Sequence, residues 1–179
     1  MKINLINFVL FQIGWFACVM SAANYIPLIG LCFAIIIMFI HIKLSPNPTN
    51  EIILLIVAMV IGLVWDSFIV YAGWINYTSG MMSNYLAPYW IIALWGLFAT
   101  TVNVSLNWLK EKTIIAMLFG AIAGPLAYYA GYKLGALTFT DFNMAMVALS
   151  IGWAVFTPFL LSFSDLYRHY IQNKMRVTS

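Results

Sequence analysis

Residues 52–70 read Ile-Ile-Leu-Leu-Ile-Val-Ala-Met-Val-Ile-Gly-Leu-Val-Trp-Asp-Ser-Phe-Ile-Val, a run whose only charge is Asp66. A helix of this length rises about 28 Å, close to the roughly 30 Å hydrocarbon core of a bilayer. In lipid the backbone must satisfy its own hydrogen bonds, so a spanning segment is a helix unless the chain closes a barrel. Barrel strands alternate polar and apolar residues, whereas this run is apolar on all sides. The rest of the chain repeats the pattern: 64% of its 179 residues are hydrophobic and 7% charged. The reading is an all-α polytopic membrane protein, one domain over residues 1–179, because no soluble stretch is long enough to fold alone.

Working outward, six transmembrane helices are expected, at about 4–23, 27–44, 51–74, 86–108, 113–134 and 141–164. The turn Ser45-Pro46-Asn47-Pro48-Thr49-Asn50 separates the second from the third, since closely spaced prolines break a continuing helix. Lys110-Glu111-Lys112 separates the fourth from the fifth, and a polar tail follows the sixth.

Charge sets the expected orientation. With the amino and carboxyl termini cytoplasmic, Lys2, Lys43, Lys110, Lys112, Arg168, Lys174 and Arg176 lie inside and only Lys133 lies outside, so seven of the eight basic residues obey the positive-inside rule. The net charge of +3 is thereby explained by orientation, and no nucleic-acid partner is expected. Tyr71, Trp74, Tyr77, Tyr85, Tyr89 and Trp90 are expected at the outer boundary, and Trp108, Tyr167 and Tyr170 at the inner one. Lys2, the apolar stretch and Ser21-Ala22-Ala23 also fit a signal peptide. Asn4, Asn7, Gln12 and Trp15 suit its apolar region poorly, and a retained hairpin is the expectation. Cys18 and Cys32 form no metal or redox spacing and are expected as free thiols.

The polar residues inside the spans are the candidates for function. Asp66 leads, because an ionised carboxylate at a helix centre costs about 2.5–3.5 kcal/mol on insertion scales and normally faces protein or water. Met59, Gly62, Asp66 and Gly73 share a stripe at helical spacing. A ligand-binding, proton-handling or catalytic carboxylate and a structural one, neutral or paired with Lys133 or a tyrosine, stay open. Gly96, Thr100, Asn103 and Asn107 form a polar face on the fourth span, as a cavity or as interhelical glue. Gly120, Gly124, Tyr128, Gly131 and Gly135 form a packing stripe on the fifth, with Pro125 within it. Gln12 is a lone mid-membrane amide. Tyr128, Tyr129 and Lys133 lie at the depth of Asp66, although snorkelling is the favoured reading of Lys133. His41, near the cytoplasmic end of the second span, could titrate near neutral pH but reads as a bland interfacial residue, and His169 reads as a solvated tail residue beside Arg168, near anionic lipid. Ligand-binding candidates are therefore Asp66, Asn103, Thr100, Gln12, Tyr128 and Lys133; no catalytic residue is assigned.

Paired zinc-ligand histidines, a phosphate-cradling glycine loop and a nucleophile elbow are all missing from the sequence. No metal and no cofactor are expected, and the chain leans away from being an enzyme.

Three motifs in order carry a family resemblance: Asn7-Phe8-Val9-Leu10-Phe11-Gln12-Ile13-Gly14-Trp15-Phe16; Leu94-Trp95-Gly96-Leu97-Phe98-Ala99-Thr100-Thr101 with Ser105-Leu106-Asn107-Trp108-Leu109; and Gly124-Pro125-Leu126-Ala127-Tyr128-Tyr129-Ala130-Gly131. Over nearly its whole length the chain resembles a proteobacterial inner-membrane family known as domain of unknown function 2878. The resemblance implies a bacterial inner (plasma) membrane location and, from members encoded near fatty-acid-modifying enzymes, a role in membrane-lipid modification. It carries over no catalytic residue.

Three functions are expected in descending order. The first is an accessory protein that binds a lipid or hydrophobic metabolite, with membrane lipids and a membrane-protein partner around it. The second is a small-solute transporter component resembling, by architecture alone, the substrate-binding subunits of energy-coupling-factor vitamin transporters. The third is a membrane-embedded lipid-modifying enzyme using Asp66.

Overall fold

The computed structural model describes residues 2–177, with side chains through residue 169. The protein is an all-α polytopic membrane protein. Its helices are α1 (Lys2–Ala23), α2 (Pro27–Leu44), α3 (Pro48–Tyr71), α4 (Tyr89–Val102), α5 (Thr113–Lys133) and α6 (Phe142–Val177). All but α4 are long and apolar enough to cross a membrane. The side chains of Tyr170, Lys174 and Arg176, assigned above to the inner boundary, lie outside the described residues.

Pro27 and Pro48 stand at the starts of α2 and α3. There a missing N–H costs nothing and the fixed φ favours helix. The expected turn at residues 45–50 is accordingly shorter, with Thr49 and Asn50 already helical.

The fourth segment departs most from expectation. In place of a helix over 86–108, α4 has 14 residues, about 21 Å at the usual rise. It gives way to turns and a short 3-10 helix at Asn107–Leu109. The cause is local chemistry. In Thr100-Thr101-Val102-Asn103-Val104-Ser105, β-branched and short polar residues compete with the helix for backbone partners. Thr100 Oγ1 donates to the Leu97 carbonyl and Thr101 Oγ1 to the Phe98 carbonyl, and Asn103 is the C-cap. The proposed face of Gly96, Thr100, Asn103 and Asn107 therefore ends before Asn107.

Two short strands were not foreseen. β1 (Ile75–Tyr77) and β2 (Leu137–Phe139) pair antiparallel, with Asn76 opposite Thr138. They tie the α3–α4 connection to the α5–α6 turn at one end of the bundle. Gly73 and Gly135 take positive φ (71° and 86°) in the turns leading to these strands. Neither belongs to the helical stripe on which sequence spacing had placed it.

The opposite end carries Lys43, Lys110 and Arg168. There Ser105 of the post-α4 turn bonds Asn7 of α1, and Lys110 bonds Asp165 of α6. The beginning of α1 and the last part of α6 thus lie at the same end.

Packing is built on glycines facing large rings. A Cβ on Gly62 of α3 would lie 2.2 Å from the Trp95 ring, and one on Gly124 of α5 would lie 2.2 Å from the Trp153 ring. These close approaches stack Trp95 on Trp153, with centroids 4.4 Å apart and planes at 13°. α5 packs chiefly on α6, whereas α1 packs on α2 and α4. Cys18 and Cys32 are both free; Cys18 is buried and Cys32 exposed.

Candidate functional site

Asp66 is fully buried. Gly62, one turn earlier on α3, lets the Trp95 indole lie flat against the helix, and Trp95 Nε1 donates to Asp66 Oδ2 at 2.7 Å. Tyr128 of α5 and Tyr77 of β1 each donate a phenol O–H to Oδ1 at 2.6 Å. One carboxylate thereby fastens α3, α4, α5 and the strand pair. Burial first, and the neighbouring Asp66 charge next, push the phenol of Tyr77 well above the ordinary tyrosine range, so it stays a donor.

Sequence spacing brought Tyr128 toward Asp66 but missed the other two partners. Tyr77 had been read as an outer-boundary aromatic, yet it points inward and is 8% exposed; Trp90, read likewise, is 1% exposed. Tyr71 and Tyr85, from the same group, are exposed. Lys133 stands apart from Asp66: its ammonium lies over the rings of Tyr129 and Tyr132, 5.3 and 5.4 Å from their centroids.

A second polar centre occupies the lysine-rich end. Asn103 donates to Glu51 Oε1 at 2.8 Å, while its own oxygen accepts from Lys110 at 2.7 Å and Ser164 at 2.6 Å. His41 Nε2 lies 2.9 Å from the other oxygen of Glu51. Lys110 also pairs with Asp165 at 2.6 Å, and Arg168 contacts the same carboxylate. Nearby, Asn7 accepts from the Ser105 hydroxyl and donates to the Thr100 carbonyl. Glu51 drew no notice in the sequence because it sits at a span's edge, where acids are ordinary. His41, read as bland, is its partner.

Between these centres runs a cavity of about 500 Å³, walled by α1, α4, α5 and α6. Phe11, Trp15, Trp95, Phe98, Tyr128 and Trp153 give it a mainly aromatic lining, and among the described residues no charged side chain contributes. Gln12, Thr101, Ser105 and Thr157 are among its few polar groups. Phe8 and Phe16 of α1, and Phe119 and Leu126 of α5, line the cavity and are also exposed on the outside of the bundle. The cavity therefore opens sideways between α1 and α5. Trp95 and Tyr128 belong both to its wall and to the Asp66 cluster, so the carboxylate stands directly behind that wall.

Of the candidate residues, the structure brings Asp66 and Tyr128 together and puts Gln12 on the cavity with Tyr128. Asn103 belongs to the other centre. The Thr100 hydroxyl is spent on its own helix, and Lys133 is exposed. Among the described residues no group of three His, Cys, Asp or Glu side chains converges as a metal ion would require.

An all-α helical membrane bundle with a lateral aromatic cavity is the class that this fold and site define. The chain belongs to the family described as Protein of unknown function (DUF2878), whose model matches residues 4–159. That match spans the three motifs and all the cavity-lining residues. No curated protein and no solved structure matches the chain.

Proposed function

We propose that this protein binds a hydrophobic molecule taken from the surrounding lipid and acts as an accessory in membrane-lipid modification. The observation that carries the binding part is the aromatic, uncharged cavity open between α1 and α5. Its volume falls in the range of roughly 300–1,000 Å³ typical of small-molecule sites. A void of this size lined by apolar side chains forfeits dispersion contacts along its whole wall, which an apolar occupant restores. The accessory role draws on the family resemblance. With the positive-inside rule, the same reading puts the lysine-rich end on the cytoplasmic face of a bacterial inner membrane.

An Asp66-based enzyme is the less favoured reading. Both carboxylate oxygens already accept short hydrogen bonds, and the side chain has no exposed surface. A general acid or base must reach the proton it moves, and here Trp95 and Tyr128 stand between Asp66 and the cavity.

The test is native mass spectrometry of protein purified in mild detergent, comparing wild type with Ala127→Trp. Ala127 lines the cavity from α5 and is only partly buried, so an indole there occupies the void without displacing the core. The reading expects a defined small molecule on wild type that is lost from the folded variant. Equal retention of the same lipids by both proteins would count against it.

A further inference from the structure

The lining identifies the occupant more narrowly, on the reading just given that the cavity is a binding site. Its extent follows from the helices. The lining runs from Phe8 to Val19 on α1 and from Phe119 to Gly131 on α5, each about 17 Å at 1.5 Å per residue. The cavity is thus a long slot lying along the helices, and a volume of about 500 Å³ is that of a drug-sized guest. A two-tailed phospholipid exceeds that scale.

Charge narrows the choice again. Among the described residues the lining holds no Lys, Arg or His to meet an anionic headgroup, and no Asp or Glu to meet a cation. Of the basic residues at the lysine-rich end, Lys110 is bonded to Asn103 and Asp165 and Arg168 to Asp165, Lys43 and Lys112 lie over the rings of Phe39 and Trp108, and none of these, nor Lys2, lines the slot. An ion drawn into the slot would lose its hydration with nothing to replace it. The guest is uncharged.

Gln12 offers an uncommitted polar group to a guest. It sits halfway along α1, lines the slot and is only partly exposed, and neither its carbonyl nor its amide is among the side-chain hydrogen bonds of the described residues. An amide in the middle of a membrane span is costly to leave unpaired. Thr101 Oγ1 donates to the Phe98 carbonyl and Ser105 Oγ to Asn7, while the Thr157 hydroxyl and the Trp153 indole N–H, also on the wall, have no partner among the described residues but are buried out of a guest's reach. Gln12, unlike the fully buried Thr157, is partly exposed and can both donate and accept without breaking a bond already made.

We propose that the slot takes an uncharged, single-tailed amphiphile, entering sideways between α1 and α5, with its one hydrogen-bonding group on Gln12. An ester, hydroxyl or carbonyl meets this description, whether at the end of the tail or along it.

Brominated chains test the proposal, because bromine quenches tryptophan on contact and Trp15, Trp90, Trp95 and Trp153 line the slot. Detergent-purified protein is titrated with a dibrominated monoacylglycerol, a dibrominated hydrocarbon of the same chain and the matching dibrominated fatty acid. The acid is used at about pH 9, where a carboxyl is ionised, and dibrominated phosphatidylcholine reports quenching from the outer surface. The expected result is saturable quenching by the monoacylglycerol at about ten-fold lower concentration than the ionised acid. Gln12→Leu should raise the monoacylglycerol midpoint about five- to ten-fold, the worth of one hydrogen bond, and leave that of the hydrocarbon unchanged, which also shows the slot intact. A keto group placed along an otherwise apolar chain, responding to Gln12→Leu as the monoacylglycerol does, would locate the contact within the tail. Equal binding of the ionised acid, or indifference to Gln12→Leu, would overturn the proposal while leaving the cavity a binding site. No saturable quenching by any single-chain probe would remove the binding site itself, and the proposal with it.

Discussion

Two polar centres hold this bundle together, and they solve the problem of burying charge differently. At the end of the slot closed by the paired strands, one carboxylate, Asp66, is met by three neutral donors and no cation among the described residues. At the lysine-rich end, ions of both signs meet: Glu51, with His41 beside it, then Asn103 as a bridge, then Lys110, Asp165 and Arg168. Depth explains the contrast. Deep in a span every ion removed from water costs several kcal/mol, so phenol and indole donors, which carry no charge, are the economical partners for a single acid. Near a helix end water and headgroups share the solvation, and paired ions are tolerable. The centres also serve different parts of the fold. Asp66 fixes two side chains of the cavity wall; Asn103 fixes the ends of helices.

Substitutions can break this comparison, beginning with the largest effect. Asp66→Ala should leave three buried donors without an acceptor, at about 1–3 kcal/mol each, and the protein should fail to accumulate or should lose most of its thermal transition in detergent. An Asp66→Ala protein as stable as wild type would show that the carboxylate holds nothing. Asn103→Leu takes one partner each from Glu51, Lys110 and Ser164, while Glu51 keeps His41 and Lys110 keeps Asp165. The expected loss is about 2–4 kcal/mol, softened by solvent near the helix end, and readable as a lower unfolding temperature with ligand retention preserved. Equal losses of retained ligand in Asn103→Leu and in Asp66 variants would erase the functional distinction between the centres.

Smaller changes sharpen it. Tyr77→Phe and Tyr128→Phe each remove one bond to Asp66 and should each cost about 1–2 kcal/mol. Only Tyr128→Phe, whose ring lines the slot, should also alter the ligand retained. Smallest is Thr157→Val. The Thr157 hydroxyl is buried without a hydrogen-bond partner among the described residues, so a group of the same shape without it should leave the melting temperature unchanged or raise it, by no more than about 1 kcal/mol of stability. A clear destabilisation would mean that this hydroxyl has a partner, such as bound water.

How much of this was legible in the sequence differs between the same two centres. Asp66 announced itself as an acid in a long apolar run, and helical spacing placed Tyr128 at its depth. Trp95 and Tyr77 gave no such signal. An indole in Leu94-Trp95-Gly96 and a phenol after the third span look like packing and interface residues until tertiary structure turns them inward. Glu51 was hidden by its place at a span boundary. The paired strands were written in two alternating triplets, Ile75-Asn76-Tyr77 and Leu137-Thr138-Phe139, but they are too short and too far apart in sequence for alternation to reveal them. The early end of α4 was readable in Thr100-Thr101-Val102-Asn103, where helix propensity fails; hydropathy alone carried the expected span through it. The lateral cavity was beyond reach, since it depends on which helices α5 does not pack against.

The central claim is that the slot between α1 and α5 is an occupied site in the membrane. The most direct measurement is an experimental structure of the protein extracted gently from its native membrane, read for density along Phe11, Gln12, Trp95 and Tyr128. The account predicts one elongated density about 17 Å long, with a polar feature at Gln12 and the Asp66 cluster intact behind it. Closure of α1 onto α5 with no space between them, or a slot filled only by water, would contradict it.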